Sequence, residues 1–167
     1  MRLAEHYGAP HISTGDMLRA AAAEGSDIGM RAKAIMDAGS LMPDDVMMEV
    51  VADRLAHADA RAGGFLLDGF PRTIGQAEAL LGLATVDAAV NLDVPELVVR
   101  ERMLGRARAD DTPEAIDNRL GIYVAETMPV VQWFDEHGLL LTVDGLGTED
   151  EVFDRLVVAI DAGLAAT

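Results

Sequence analysis

The chain contains no cysteine, which excludes disulfides and makes a cytoplasmic location the default expectation. No apolar run approaches the roughly 18 residues of a membrane span, so no membrane partner is expected. The opening residues Met1 to His6 lack the apolar centre of a signal peptide. Positive charge is scarce: 13 basic residues face 29 acidic ones, a net charge of -16, which argues against nucleic acid as a partner because a phosphate backbone needs a basic surface. Lysine is scarcer still, with Lys33 alone among the 13 basic residues. An arginine-rich set suits bidentate phosphate recognition, and a compositional bias of the source would produce the same count. His6, His11, His57 and His137 form no i, i+4 pair and have no cysteine beside them, which speaks against a protein-built metal site. The sequence has no G-x-S-x-G, H-E-x-x-H or G-x-G-x-x-G, leaving acyl transfer, zinc hydrolysis and dinucleotide binding without support.

What is present is enough apolar material, 50% of 167 residues, for about one domain with a buried core. The chain centres on Gly64-Phe65-Leu66-Leu67-Asp68-Gly69-Phe70-Pro71-Arg72-Thr73. Its apolar triplet reads as a short, fully buried parallel strand, and Asp68 falls at the carboxyl end, where open α/β sheets bind ligands. Gly69 and Pro71 make a turn that aims Arg72; a βα corner with a solvated arginine has the same spelling. Upstream, Pro10-His11-Ile12-Ser13 predicts a brief strand, and Ser13-Thr14-Gly15-Asp16 has the form of a capping box before a helix to Ala23. Helices are predicted from Asp27 to Ala38 and from Pro43 onward, the latter with a stripe of Val46, Val50, Val51 and Leu55.

Downstream, a helix over Gln76 to Leu83 and a strand over Ala88 to Val94 follow, then a helix with Pro95 at its first position carrying Arg100, Arg102 and Arg106. Thr112-Pro113-Glu114 opens another helix that holds Arg119 and kinks at Pro129, and a strand from Leu139 to Val143 precedes the closing helix. This alternation predicts an α/β fold, a parallel sheet with helices on both faces. Arg19, Arg72, Arg102, Arg106, Arg108 and Arg119 could surround a polyphosphate, each charge-assisted contact contributing roughly 1.5 to 3 kcal/mol. Each could instead pair with an acidic neighbour on the surface, where the pair is worth little. Asp110-Asp111 could hold a cation or simply open a helix.

Three separated stretches resemble adenylate kinase: Ile12-Ser13-Thr14-Gly15-Asp16-Met17-Leu18-Arg19, the Gly64 to Thr73 corner with Gln76-Ala77, and Arg106-Ala107-Arg108-Ala109-Asp110-Asp111 with Arg119 and Tyr123. The resemblance implies a P-loop nucleoside monophosphate kinase fold and conversion of ATP plus AMP into two ADP with Mg2+. By similarity, Thr14, Arg19, Gly69, Arg72, Gln76, Arg108 and Arg119 hold AMP, with Gln76 reading the adenine edge and Arg19 and Arg72 clamping the phosphate. Arg102 and Arg106 meet ATP. Arg72, Arg106, Arg108, Arg119 and Asp68 are the implied catalytic set, Asp68 orienting Mg2+ through water, and Asp110 with Asp111 pair with arginines on closure. Thr14 favours AMP over pyrimidine acceptors, since uridylate and cytidylate kinases usually carry Ala there.

The same resemblance divides the chain into a core of residues 1–12 and 58–167, an AMP-binding helical subdomain of 13–57, and a short loop of about 106–111 in place of a lid, so that no zinc is expected. A monomer is implied. The family opens with a strand and a G-x-x-G-x-G-K-G-T loop, so roughly 15 to 20 residues are expected to be absent here, the first, central strand among them. Lys33, within a predicted helix, cannot replace the loop lysine, and strongly reduced activity is expected. A non-catalytic AMP-binding or interaction protein is the alternative.

Overall fold

Side-chain caps explain where several of the helices begin. In the computed structural model, which describes residues 2–25, 27–106 and 108–166, Ser13 Oγ accepts the Asp16 N–H at 3.3 Å and opens α2, Thr14–Ala23. The reciprocal arm of a capping box is replaced: the Asp16 carboxylate pairs with Arg19 one turn on. Thr73 caps α6, Ile74–Leu83, by accepting the Gln76 N–H at 3.2 Å. Thr112 caps α8, Pro113–Ile122, in the same way from Ala115, with Pro113 in the first turn. Pro95 stands at the N-cap of α7, Glu96–Gly105, one residue before the expected position, because its ψ of 138° is extended.

The remaining helices are α1 (Arg2–Tyr7), α3 (Asp27–Asp37), α4 (Asp44–Leu55), α5 (Ala58–Gly63), α9 (Met128–Glu136) and α10 (Glu149–Ala166). A π-helical segment, Tyr123–Thr127, stands just before Met128 and Pro129, where a kink was expected. Proline offers no N–H to the preceding turn, and a widened turn absorbs the mismatch.

The strands are β1 (His11–Ser13), β2 (Leu66–Asp68), β3 (Ala89–Asp93) and β4 (Leu140–Asp144). All pairing is parallel, as the alternation requires, but the strands form two separate two-stranded sheets, β1 with β2 and β3 with β4. This corrects the expectation of a fully buried β2: Phe65, Leu66 and Leu67 are half-buried, since β2 has a ladder partner on one edge only.

The main core joins Ile12, Leu18, Val51, Phe70 and Leu80, and a smaller one joins Ala77, Val130 and Phe134. Within α4 the buried seam is Met47, Val51 and Leu55, spaced four apart on one face; Val46, expected in that stripe, packs only at its margin. No helix among the described residues is long and apolar enough to cross a membrane.

Candidate functional site

Parallel register decides where the site begins. Ser13 lies opposite Asp68, so β1 and β2 end together and deliver Thr14 and Gly69 side by side. Thr14, only 3% exposed, donates from Oγ1 to the Gly69 carbonyl at 3.1 Å. Gly69 has φ +75°, and a Cβ there would stand 3.0 Å from Arg72 Nη2 and 3.3 Å from Thr14 Oγ1. Glycine is therefore favoured by conformation, and a side chain would also have to displace the Arg72 guanidinium. After a cis Phe70–Pro71 bond, the chain turns back so that Arg72 Nε donates to the Gly69 carbonyl at 2.8 Å. Asp68, at the strand's end, lies 3.2 Å from His11 Nε2 through Oδ2 and leaves 59% of its side chain exposed.

Behind this corner Gln76 is 2% exposed. Its Oε1 accepts the Arg72 backbone N–H at 2.8 Å and its Nε2 donates to Asp44 Oδ1 at 2.7 Å. The other Asp44 oxygen accepts from Thr73 Oγ1 at 2.7 Å. Thr127 Oγ1, in the π segment, donates to the Arg72 carbonyl at 3.1 Å.

Arg19 and Arg119 bring their charge to the same corner. Arg72, crowded by protein atoms although its surface is exposed, is pulled below the ordinary arginine range, first by that crowding and then by the charge of Arg119, with Arg19 adding to the effect and Asp68 opposing it. The charges of Arg119 and Arg19 lie close enough to disfavour that of Arg72, and an anion beside Arg72 would relieve it. Arg19, hydrogen-bonded to Asp16, holds that carboxyl below the usual carboxylate range, and Arg108 adds to the pull. The loop of 106–111 is thereby connected to the start of α2; Ala107 within it lies outside the described residues.

Asp110 and Asp111 are paired with arginines here. Arg119 reaches Asp111 Oδ1 and Asp110 Oδ2, both at 2.6 Å, while Arg106 forks onto Asp111 at 2.6 and 2.9 Å. The Asp111 side chain is 1% exposed, and the Arg106 and Arg119 guanidiniums hold its carboxyl low. Arg119 also donates to the Met36 carbonyl at the end of α3. Arg102 donates to the Gly145 carbonyl at 3.1 Å, beyond the end of β4.

The corner thus gathers a buried amide, a threonine hydroxyl, a tight Gly-x-Pro-Arg turn and the charges of Arg19, Arg72 and Arg119. Residues 1–139 match the family model described as Adenylate kinase. The chain belongs to the adenylate kinase family. It is 48% identical to "Adenylate kinase" of Stenotrophomonas maltophilia strain R551-3, over 95% of this chain and 89% of that protein. It is 44% identical to "Adenylate kinase" of Mycobacteroides abscessus, over 95% and 88%. With "Adenylate kinase" of Nitrobacter winogradskyi the identity is 46%, over 90% and 80%. Adenylate kinases are phosphotransferases with ATP, AMP and ADP as substrates and products.

Asp44 and Thr73 were not singled out from the sequence, where Pro43-Asp44-Asp45 read only as a helix start. Their partners lie 32 and 29 residues away in sequence, and the one available signal was an acidic residue doubled at that start.

Proposed function

We propose that this chain is an adenylate kinase that reversibly transfers the γ-phosphoryl group of ATP to AMP, giving two ADP. The observation that carries this reading is the corner at which Arg72, whose charge Arg119 and Arg19 disfavour, gives its backbone N–H to the buried Gln76 amide. That arrangement suits a nucleoside monophosphate, its phosphate among the guanidiniums and its base toward the amide. A phosphate oxygen of AMP attacks the γ-phosphorus, the bond to the β–γ bridging oxygen breaks, and ADP leaves. Such a transfer needs positioning and cationic stabilisation more than covalent help.

In this reading Thr14, Gly69, Arg19, Arg72 and Gln76 hold AMP on the helices of 13–57, and Arg102 lies against ATP. Arg106, Arg108 and Arg119 stabilise charge on the phosphates in transfer, with Asp110 and Asp111 holding two of them in place as the loop of 106–111 closes. The exposed Asp68 carboxylate at the end of β2 fits a hydrated cation shared with phosphate, since Mg2+ commonly keeps its waters and takes only one or two carboxylates. Magnesium bound with ATP would neutralise phosphate charge beside that residue.

Titration calorimetry on the 167-residue chain tests the acceptor site. AMP should bind, and Arg72→Ala should weaken it roughly 10- to 100-fold, the worth of one charge-assisted contact; absence of heat, or affinity unaffected by Arg72→Ala, would overturn the reading. A coupled assay with ATP, AMP and Mg2+ tests transfer. Because the 167 residues hold no G-x-x-G-x-G-K sequence to cradle the β- and γ-phosphates, turnover of this chain should fall orders of magnitude below that of relatives that contain one. Turnover of about 10 per second or more would contradict that expectation.

A further inference from the structure

We propose that Asp44 is a positioning residue that sets base selectivity by locking the Gln76 amide in one orientation. This rests on the reading in which Gln76 meets the base of the acceptor nucleotide. A side-chain amide presents an acceptor at one end and a donor at the other, and turning it over exchanges them. At Gln76 both neighbours agree on one choice. The Arg72 backbone N–H, 2.8 Å away, can only donate, so it requires the oxygen. The Asp44 carboxylate, 2.7 Å away, can only accept, so it requires the nitrogen. A flipped amide would set oxygen against carboxylate and N–H against N–H, in a position 2% exposed where water cannot relieve either clash.

Asp44 is itself pinned. Its second oxygen accepts from Thr73 Oγ1, and that hydroxyl oxygen accepts the Gln76 N–H, so the carboxylate bridges the first turns of α4 and α6. What remains on Gln76 is one N–H and one oxygen lone pair. These match an adenine edge, where an exocyclic amino group donates beside a ring nitrogen that accepts. Hypoxanthine carries a carbonyl oxygen in place of that amino group. A freely turning amide could adapt to it, and a locked one meets oxygen with oxygen, so rejection of 6-oxopurines comes from Asp44 rather than from Gln76 alone.

Calorimetry with AMP and with inosine monophosphate tests this on the full chain, using Asp44→Asn and Asp44→Ala. Asparagine keeps the shape but offers one accepting oxygen where the carboxylate offers two. The expected result is AMP weakened about tenfold, inosine monophosphate unchanged or tighter, and the preference between them reduced tenfold or more. Equal weakening of both nucleotides would mean that Asp44 merely ties two helices together, and an unchanged preference would mean that the lock is not selective; either overturns the proposal.

Gln76→Ala separates this idea from the reading beneath it. If Gln76→Ala leaves AMP affinity intact, base reading by Gln76 fails and the proposal with it. If Gln76→Ala weakens AMP while Asp44→Asn leaves the preference unchanged, only the role of Asp44 fails. Should the Asp44 variants not fold, NMR of the unaltered protein decides: one Gln76 amide hydrogen should be protected from solvent exchange without nucleotide, and fast exchange of both would refute the lock.

Discussion

Asp111 is the residue on which two of the cations depend. Its carboxylate, 1% exposed, receives both Arg106 and Arg119, so deleting it would strip Arg106 of the carboxylate it forks onto and leave Arg119 with Asp110. Asp111→Ala should lower unfolding free energy by about 3 kcal/mol at neutral pH. The pH dependence has a definite sign. The Arg106 hydrogen bond, with Arg119 assisting, lowers the Asp111 pKa below its ordinary 3.8. The carboxyl therefore contributes stability fully above the unfolded value and loses it as pH falls through the lower folded value. Urea denaturation at pH 7 and again below pH 4 should show the parent losing more stability than Asp111→Asn; parallel losses would contradict the pairing. In the proposed function the same residue links stability to chemistry, because Arg106 and Arg119 are there given the transferring phosphates.

Among the elements, α8 and α3 are joined in a way that aims Arg119. The chain leaves α3 through a Schellman turn: Ser40 N–H donates to Ile35 O, Gly39 N–H donates to Met36 O, and Gly39 takes φ +70°. Side chains of α8 then supply further donors, Asn118 Nδ2 to Ala38 O at 2.7 Å and Arg119 Nη2 to Met36 O at 3.0 Å. The two backbones approach so closely that a Cβ on Gly39 would stand 2.4 Å from the Ala115 carbonyl oxygen. Gly39→Ala thus meets both a disfavoured conformation and a rigid obstacle. It should cost about 3 kcal/mol, a melting temperature lower by roughly 6 to 12 °C. Displacement of α8 should weaken AMP as well, although Gly39 is assigned no nucleotide contact. A melting temperature within about 2 °C of the parent would show that the junction yields without strain.

Across the whole molecule, the two ends of the chain are clasped together. Tyr7 on α1 donates to Asp161 on α10 at 2.9 Å, and Arg2 pairs with Asp150 at 2.7 Å while lying 4.2 Å over the Phe153 ring. Burial, then the Asp161 hydrogen bond and charge, raise the Tyr7 hydroxyl from 10.0 to about 12. A hydroxyl held neutral in the folded state stabilises fully below pH 10 and loses that contribution as pH rises through about 12. Tyr7→Phe should therefore flatten the alkaline fall in stability between those values. In a Tyr123→Phe background, phenolate absorbance should report Tyr7 ionising near the upper one; ionisation near 10 would mean that the clasp is open in solution.

Much of this could be read in the chain because it is local. Ser13, Thr73 and Thr112 cap helices through backbone N–H groups three residues away, and Gly69-Phe70-Pro71 spells a turn, so element order and parallel pairing were legible. Burial was not, because it depends on what packs alongside: β2 is half-buried with a single neighbour, and Met47 rather than Val46 fills the α4 seam. The sequence by itself determined which side chains could cap, turn and carry charge. Only tertiary structure decided that arginines from α2 and α8 act on Arg72 at the β2–α6 corner, and that Asp44 grips Gln76 across 32 residues. Those contacts are made between segments far apart in the chain, and no local pattern records which partners the folded backbone will bring within hydrogen-bond distance.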